Sequence, residues 1–308
     1  MRTPALVAIA ATTALALTGC TYASQETGSS TGTSTDAATA AAVEGFDAAT
    51  VAVNEDAVAL LPQDVVDRGT LRVGMETTYA PAEYLDVDGQ TPIGYDVDIS
   101  EAIAAALGLE AEVQSAAFDS IIPSIGTKFD AGISSFTITP ERVEVADMTS
   151  YLSVGEAYAV AAGNPAGIDA ADLCGATVAL QTGTVQQDEA TQMAADCEDA
   201  GKDALEILNY DSQADAATNV VGGKADVLFA DSPIIGYAVT QTGGQLEQLG
   251  DAFATASQGI VTAQGSEVTD AIALALQGLM DDGTLKSILD AWGAADGMLT
   301  TAEVNPAS

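Results

Sequence analysis

From Leu71 to Trp292 the chain alternates short apolar runs with longer stretches of helical period, and that alternation limits the fold more than any other feature. Leu71-Arg72-Val73-Gly74-Met75 reads as a strand and runs into a polar loop, Glu76 to Pro81. Residues 94–108 place Ile99, Ile103, Ala106 and Leu107 on one helical face, with Asp96 fitting an N-cap and Gly108 a left-handed C-terminal position. Leu109, Ala111 and Val113 suggest a second strand, 118–125 a helix and 128–133 another short strand. Further on, strands are expected at 176–181, 205–210 and 225–230, and helices at 185–199, 211–221 and 232–241. Residues 149–162 and 253–262 read as extended, and amphipathic helices cover 266–281 and 285–292. Strands and helices in alternation predict an α/β fold, in which ligands sit outside the carboxyl ends of the strands.

The stretch 128–151 carries the densest chemistry. After the strand come the hydroxyls Ser134, Ser135, Thr137 and Thr139, then Pro140 and Arg142. Proline is favoured in the first turn of a helix, where its missing N–H has no partner to lose. Hydroxyls, free N–H groups and a guanidinium converging at a helix start suit a carboxylate. The plainer alternative is that the hydroxyls only cap the helix and Arg142 is a solvated charge.

Composition narrows the function classes. The 308 residues suit one or two domains and are 48% hydrophobic. With 45 acids against 8 bases, the net charge is −37, which argues against nucleic acid and anionic membrane surfaces as partners. The chain has no histidine, which removes imidazole acid–base chemistry, and its three cysteines form no close pair for zinc, so no metal or cofactor is expected.

The N-terminus reads as an address. Arg2 precedes a short apolar stretch, residues 5–17, ending in Leu17-Thr18-Gly19-Cys20. This resembles a bacterial lipobox, which implies a signal peptide over 1–19 and lipidation of Cys20; a secretory signal cleaved elsewhere is the alternative. Residues 20–60 then read as a flexible tether rich in Ser, Thr, Ala and Gly toward its start. About 40 such residues reach roughly 35 Å, which would hold a folded body just off the outer face of a membrane. With Cys20 lipidated, Cys174 and Cys197 remain as an even pair in an oxidising compartment, and a disulfide is expected; two buried apolar thiols are the alternative.

Residues 94–107, Gly-Tyr-Asp-Val-Asp-Ile and the helix after them, resemble the signature of family 3 extracellular solute-binding proteins of ABC importers. The stretches 128–151, 178–184, 223–232 and 281–293 resemble further segments of that family in the right order, so the likeness spans about Leu61 to Asn305. It implies a two-lobed, type II periplasmic-binding-protein-like fold with two crossing strands, placed at Tyr151–Tyr158 and Asp251–Ser257. Lobe 1 would comprise 61–153 plus 256–308, and lobe 2 residues 154–255. It also implies a monomer that binds an amino acid, feeds an ABC permease and is not an enzyme. Two other possibilities remain open: a dehydratase or lyase of the same fold, and a sensory lipoprotein.

The resemblance also implies roles for individual residues. Arg142 would pair with a ligand α-carboxylate, with Ser135 and Thr137 supplying hydroxyl or N–H contacts. Asp231, from the other lobe, would pair with the α-ammonium. Tyr79 and Phe118 would flank the ligand, and Ser134 and Glu76 would meet its side chain. The turn of lobe 2 departs from the usual pattern: Gly183-Thr184-Val185 lacks a hydroxyl at Val185, where only the N–H is left to bind. The alternatives are an N-cap role for Asp231, core packing for Tyr79 and Phe118, and a backbone cap for Glu76. An acid at Glu76 predicts basic amino acids first, glutamine second and acidic amino acids last.

Overall fold

The computed structural model describes residues 46–307. The expected signal peptide, the lipidated Cys20 and most of the expected tether lie outside the described residues. Residues 46–60 are not tether-like. Asn54 caps the short helix Glu55–Val58, its own N–H donates to Ala106 O at 2.8 Å, and Ala57 is fully buried. Phe46 and Val51 pack on the same core. The packed body therefore starts earlier than Leu61, because scattered apolar anchors too sparse to show a period still find a core.

The strands in chain order are β1 (Thr70–Met75), β2 (Thr78–Tyr79), β3 (Glu83–Leu85), β4 (Pro92–Ile93), β5 (Glu110–Ser115), β6 (Ala131–Gly132), β7 (Ala146–Ala161), β8 (Thr177–Gln181), β9 (Glu206–Tyr210), β10 (Val227–Asp231) and β11 (Leu246–Ala263). β2, β3 and β4 form a small antiparallel sheet. The other eight run in the order β5-β1-β6-β11-β7-β10-β8-β9.

Two long antiparallel strands, β7 and β11, run through both halves of that sheet. At one end β11 pairs with β6 through Val261 and Thr262, and at the other β7 pairs with β10 from Glu156 to Val160. Their register slips between Leu249 and Phe253, between Phe253 and Ala256, and between Gln258 and Gly259. Such irregularities bend and twist a strand pair, so two half-sheets of different orientation share the same pair. β11 begins at Leu246, earlier than the extended run read at 253–262; its first half carries exposed residues and lacks the apolar alternation that marks a strand.

Each half follows the βα logic. In the first, β1, β5 and β6 are parallel, and helices Tyr95–Ala106 and Glu267–Asp281 bury Ile99, Ile103, Ile272 and Leu276. In the second, β10, β8 and β9 are parallel, with helices Val185–Asp199 and Gln213–Val221 between them. Cys174 and Cys197 are disulfide-bonded beside this second core, with Cα atoms 5.6 Å apart. The C-terminal segment returns to the first half: Leu152 bridges Met298, Thr149 bridges Val304, and Asn305 holds Met148 N and Asp147.

Two readings of local structure are corrected. The expected strand 128–133 shrinks to Ala131–Gly132, because Ser124 O takes the N–H groups of Lys128 and Phe129 into a turn. Asp96 is not an N-cap. The helix starts a residue before it, after Gly94 at φ 134, where a Cβ would overlap the Ala82 carbonyl. This frees the Asp96 carboxylate to point into the protein.

Candidate functional site

The cleft between the half-sheets is built from the strand ends that face one another. The residues lining it include Tyr79, Phe118, Ser134, Ser135, Thr137, Arg142, Thr184, Val185 and Asp231, together with Gln181 and Gln186. Nine of the ten sequence-predicted residues therefore meet in one place. The tenth, Glu76, is buried just behind them.

Arg142 is set by a capped helix start. Thr139 Oγ1 accepts the Arg142 N–H at 3.3 Å, and Pro140 opens the helix Pro140–Val143. The guanidinium donates to Thr137 O at 2.8 Å and to Gly183 O, across the cleft, at 3.2 Å. It lies 5.6 Å from the ring centroids of both Phe118 and Phe136, which stack on each other at 4.6 Å. Among the described residues no carboxylate lies within ion-pairing distance of Arg142. Burial pulls its pKa below the ordinary value, and the charge of Asp231 opposes that. Arg142 is thus not a solvated charge, while Thr139 does cap the helix as the plainer reading held.

Opposite stands Asp231, at the end of β10 and 4% exposed. It occupies the N-cap position of helix Ser232–Gln241 but makes no side-chain cap bond. Its carboxylate instead accepts from Gln186 Nε2 and Gln258 Nε2, both at 2.9 Å. Burial raises its pKa to about 6, against the pull of Tyr79, Gln186, Arg142 and Gln258. The Gln186 amide also donates to Glu156 Oε1 at 3.0 Å, and burial beside Glu189 raises the pKa of Glu156.

The cleft hydroxyls are largely committed inward. Ser134 Oγ donates to Glu83 Oε1 at 2.6 Å and accepts the Glu76 N–H at 3.0 Å. Ser135, at φ 51, gives its N–H (2.8 Å) and its hydroxyl (3.2 Å) to Asp96 Oδ2, while Tyr151 donates to Oδ1 at 2.7 Å. The Asp96 pKa is raised by burial to about 6 even so. The expectation that Ser135 offers its hydroxyl or N–H to a ligand is therefore corrected: both are taken by the acid that holds the strained turn. Thr184 likewise spends its hydroxyl on Gln181 O at 2.8 Å and on capping helix Val185–Asp199. What that turn presents is backbone, since the first N–H groups of a helix have no acceptor within it. Gly183 makes the turn fit, at φ 81, where a Cβ would come within 2.8 Å of Asp119 Cβ.

Apart from the bond from Gln258 to Asp231 at the crossing strands, four hydrogen bonds reach across the cleft from one lobe to the other. Besides the bond from Arg142 to Gly183, Gln181 Nε2 donates to Glu76 Oε2 at 2.8 Å. Asp231 N donates to Tyr79 Oη at 3.2 Å, and Gln213 N to Thr78 Oγ1 at 3.0 Å. Thr78 Oγ1 in turn donates to Glu76 Oε2 at 2.9 Å. Burial raises the pKa of Glu76, and the Gln181 and Thr78 bonds oppose the shift. Sequence reasoning missed Glu83, Gln181, Gln186 and Gln258. Glu83, an acid in an otherwise apolar edge beside Ala82, was the one with a readable signal.

The profile of the bacterial extracellular solute-binding proteins, family 3, matches residues 71–295. The chain belongs to that family. The arginine-binding protein ArgT of Corynebacterium glutamicum is 37% identical over 250 residues, covering 80% of this chain and 82% of that one. An ancestral arginine-binding protein bound to arginine superposes with a TM-score of 0.67 at 30% identity, covering 73% of this chain and 98% of that one; the ancestral protein has also been solved bound to glutamine. The ancestral amino acid-binding protein AncCDT-1, a precursor of cyclohexadienyl dehydratase, has a TM-score of 0.67 at 29% identity and covers 75% of this chain and 98% of that one. Among the described residues no helix is long and apolar enough to cross a membrane.

Proposed function

We propose that this family member is a monomeric, lipid-anchored receptor that delivers a basic amino acid, arginine or lysine in the first instance, to an ABC importer. The observation that carries the reading is the opposed pair of charges, half-buried Arg142 on one lobe and buried Asp231 on the other, lining one cleft. A zwitterion leaving water needs both of its charges paired with good geometry. In this reading Arg142 takes the α-carboxylate with the N–H groups of Thr137 and of the Thr184-Val185 turn, and Asp231 takes the α-ammonium. Tyr79 and Phe118 hold the ligand between them. A cationic side chain takes over Glu76 Oε2 from Gln181, ending the cost of burying that acid. Ligand bridging both lobes favours their closure, as hinge closure does in periplasmic binding proteins generally, and the permease reads the closed shape. The lobes divide near residues 153 and 255, where the β7–β11 register slips.

The arginine-binding names of the relatives support this ligand class, and the glutamine-bound ancestral structure supports glutamine as second choice. A thermal-shift screen of the twenty amino acids tests it. A true ligand at 100 times its Kd stabilises by about 2.7 kcal/mol. Tight glutamate binding with arginine and lysine silent overturns the ranking. The likeness to a precursor of a dehydratase motivates one further arm: turnover of a bound amino acid or cyclic acid would replace the receptor reading by an enzyme. Loss of membrane association in Cys20→Ser tests the anchor.

A further inference from the structure

Behind the cleft lies an acid that touches no ligand-facing surface. Glu83, on β3, is fully buried. Its Oε1 accepts the Ser134 hydroxyl at 2.6 Å, and its Oε2 has no hydrogen-bond donor. Around it stand Asp96, Glu76, Tyr95 and Tyr151, and among the described residues no cation pairs with it. Asp96 has all its own donors supplied, from Ser135 N, Ser135 Oγ and Tyr151 Oη. Two adjacent buried carboxyl groups cannot both ionise at low cost; one keeps a proton. Burial and the Asp96 charge push the Glu83 pKa well up, so Glu83 is the one that holds the proton, and Oε2, which has no other partner, is the oxygen left to carry it.

That fixes the direction of the neighbouring bond. A hydroxyl has one proton and two lone pairs. Ser134 gives its proton to Glu83 Oε1 and one lone pair to the Glu76 N–H, which leaves a single lone pair for the cleft it lines. We propose that Glu83 is a specificity-setting positioning residue: by holding the Ser134 proton, it turns Ser134 into a pure acceptor, so the cleft selects ligand nitrogen donors over ligand oxygens. The same commitment recurs at Ser135, whose proton goes to Asp96, and at Thr184, whose proton goes to Gln181 O; Ser134 differs in that its acceptor is a fully buried acid with its second oxygen unpaired. The inference rests on the amino-acid-binding reading above and deepens it.

The test uses arginine, glutamine and glutamate as probes in titration calorimetry on the folded, mature protein. Glu83→Gln keeps an acceptor for Ser134 and an N–H donor for Asp96, so it mimics the neutral acid. Its arginine affinity stays within about threefold of wild type, with the same pH profile between about pH 5 and 8. Glu83→Leu releases the Ser134 proton toward the cleft, and the arginine-to-glutamine preference falls about tenfold or more. In a Ser134→Ala background, adding Glu83→Leu leaves that preference unchanged, because the effect runs through Ser134. Three results overturn the proposal: an unaltered preference in Glu83→Leu, a further fall on adding it to Ser134→Ala, or a Glu83→Gln variant that loses arginine affinity or changes its pH profile. The last arm decides alone if the leucine variants do not fold. If wild-type protein binds none of the probes, the amino-acid reading itself fails, which is a different outcome from any of these.

Discussion

Replacing Arg142 by alanine separates binding from folding more cleanly than any other change. The guanidinium holds two carbonyls, Thr137 O and Gly183 O, and two aromatic faces, but no carboxylate among the described residues. Deleting it loses about 1 kcal/mol for each carbonyl bond and regains the cost of keeping a desolvated cation without a counter-charge. These oppose each other, so stability changes by about 1 kcal/mol or less, a shift of about 2–4 °C in Tm for a body of this size. Binding is different, because a ligand carboxylate would be left buried without its cation. That costs roughly 3–5 kcal/mol, or about 100- to several-thousand-fold in Kd. Arg142→Lys recovers little, since a point charge cannot hold Thr137 O, Gly183 O and a carboxylate in one plane. Calorimetric Kd and thermal melts of wild type, Ala and Lys variants measure both quantities. An unchanged Kd in the alanine variant, or full recovery with lysine, refutes the reasoning.

Affinity for a basic amino acid should weaken as pH falls below about 6, because Asp231 has been raised from 3.8 to about 6 and loses its charge there; the loss approaches about tenfold per pH unit until the pKa of the bound state is reached. The sign is opposite for folding: a folded-state pKa above the unfolded one gives stability that is full below about 4 and lost as pH rises through about 6, for Asp231 and Asp96 alike. Calorimetry on both sides of pH 6, with thermal melts of ligand-free protein, checks both signs, and a flat affinity profile counts against the Asp231 assignment. Replacing Cys174 and Cys197 by serine opens a loop with a sequence separation of 23 and should cost about 2–4 kcal/mol in denaturant unfolding. Amino-acid affinity should stay within about twofold, since the bridge lies in the second core and not in the cleft.

The α/β alternation was legible because strand and helix periods are local, and β1, β5, β8, β9 and β10 fall where the apolar runs do. Arg142 stood out locally, at a helix start marked by Thr139-Pro140, whereas Asp231 was named only through the family resemblance, its own Ser232-Pro233 context pointing to a cap that its side chain does not make. What escaped are long-range partnerships. Asp96 sits where a cap belongs by spacing, yet its carboxylate serves Ser135 and Tyr151, 39 and 55 residues away. Gln186 and Gln258 meet at Asp231 from two different elements, and no period links them. Phe118 lines the cleft and also stacks on Phe136 in a buried cluster, so core packing does not take it away from the site.

The division of labour between the lobes follows from the same chemistry. Arg142 belongs to the half-sheet of β1, β5 and β6, and Asp231 to that of β8, β9 and β10. A ligand with only a carboxylate would satisfy one lobe and leave Asp231 to be buried at its own expense, or protonated. A ligand with only an ammonium would do the reverse with Arg142. Only a molecule bearing both charges gives closure a free energy that neither lobe supplies alone, since a ligand shifts such an equilibrium only by its differential affinity for the two states. Glu76 extends this logic to the side chain. In this closed arrangement it is held by Gln181, a neutral amide from the opposite lobe, and that bond is the weaker of the two kinds on offer. A cation in its place pairs with the carboxylate as well as donating to it, so donor and acceptor are both charged, and an ionised acid has no proton to give. On the proposed reading, selectivity for basic amino acids would come from exchanging one cross-lobe hydrogen bond for a better one, with the lobes already in contact through Thr78, Tyr79 and Arg142.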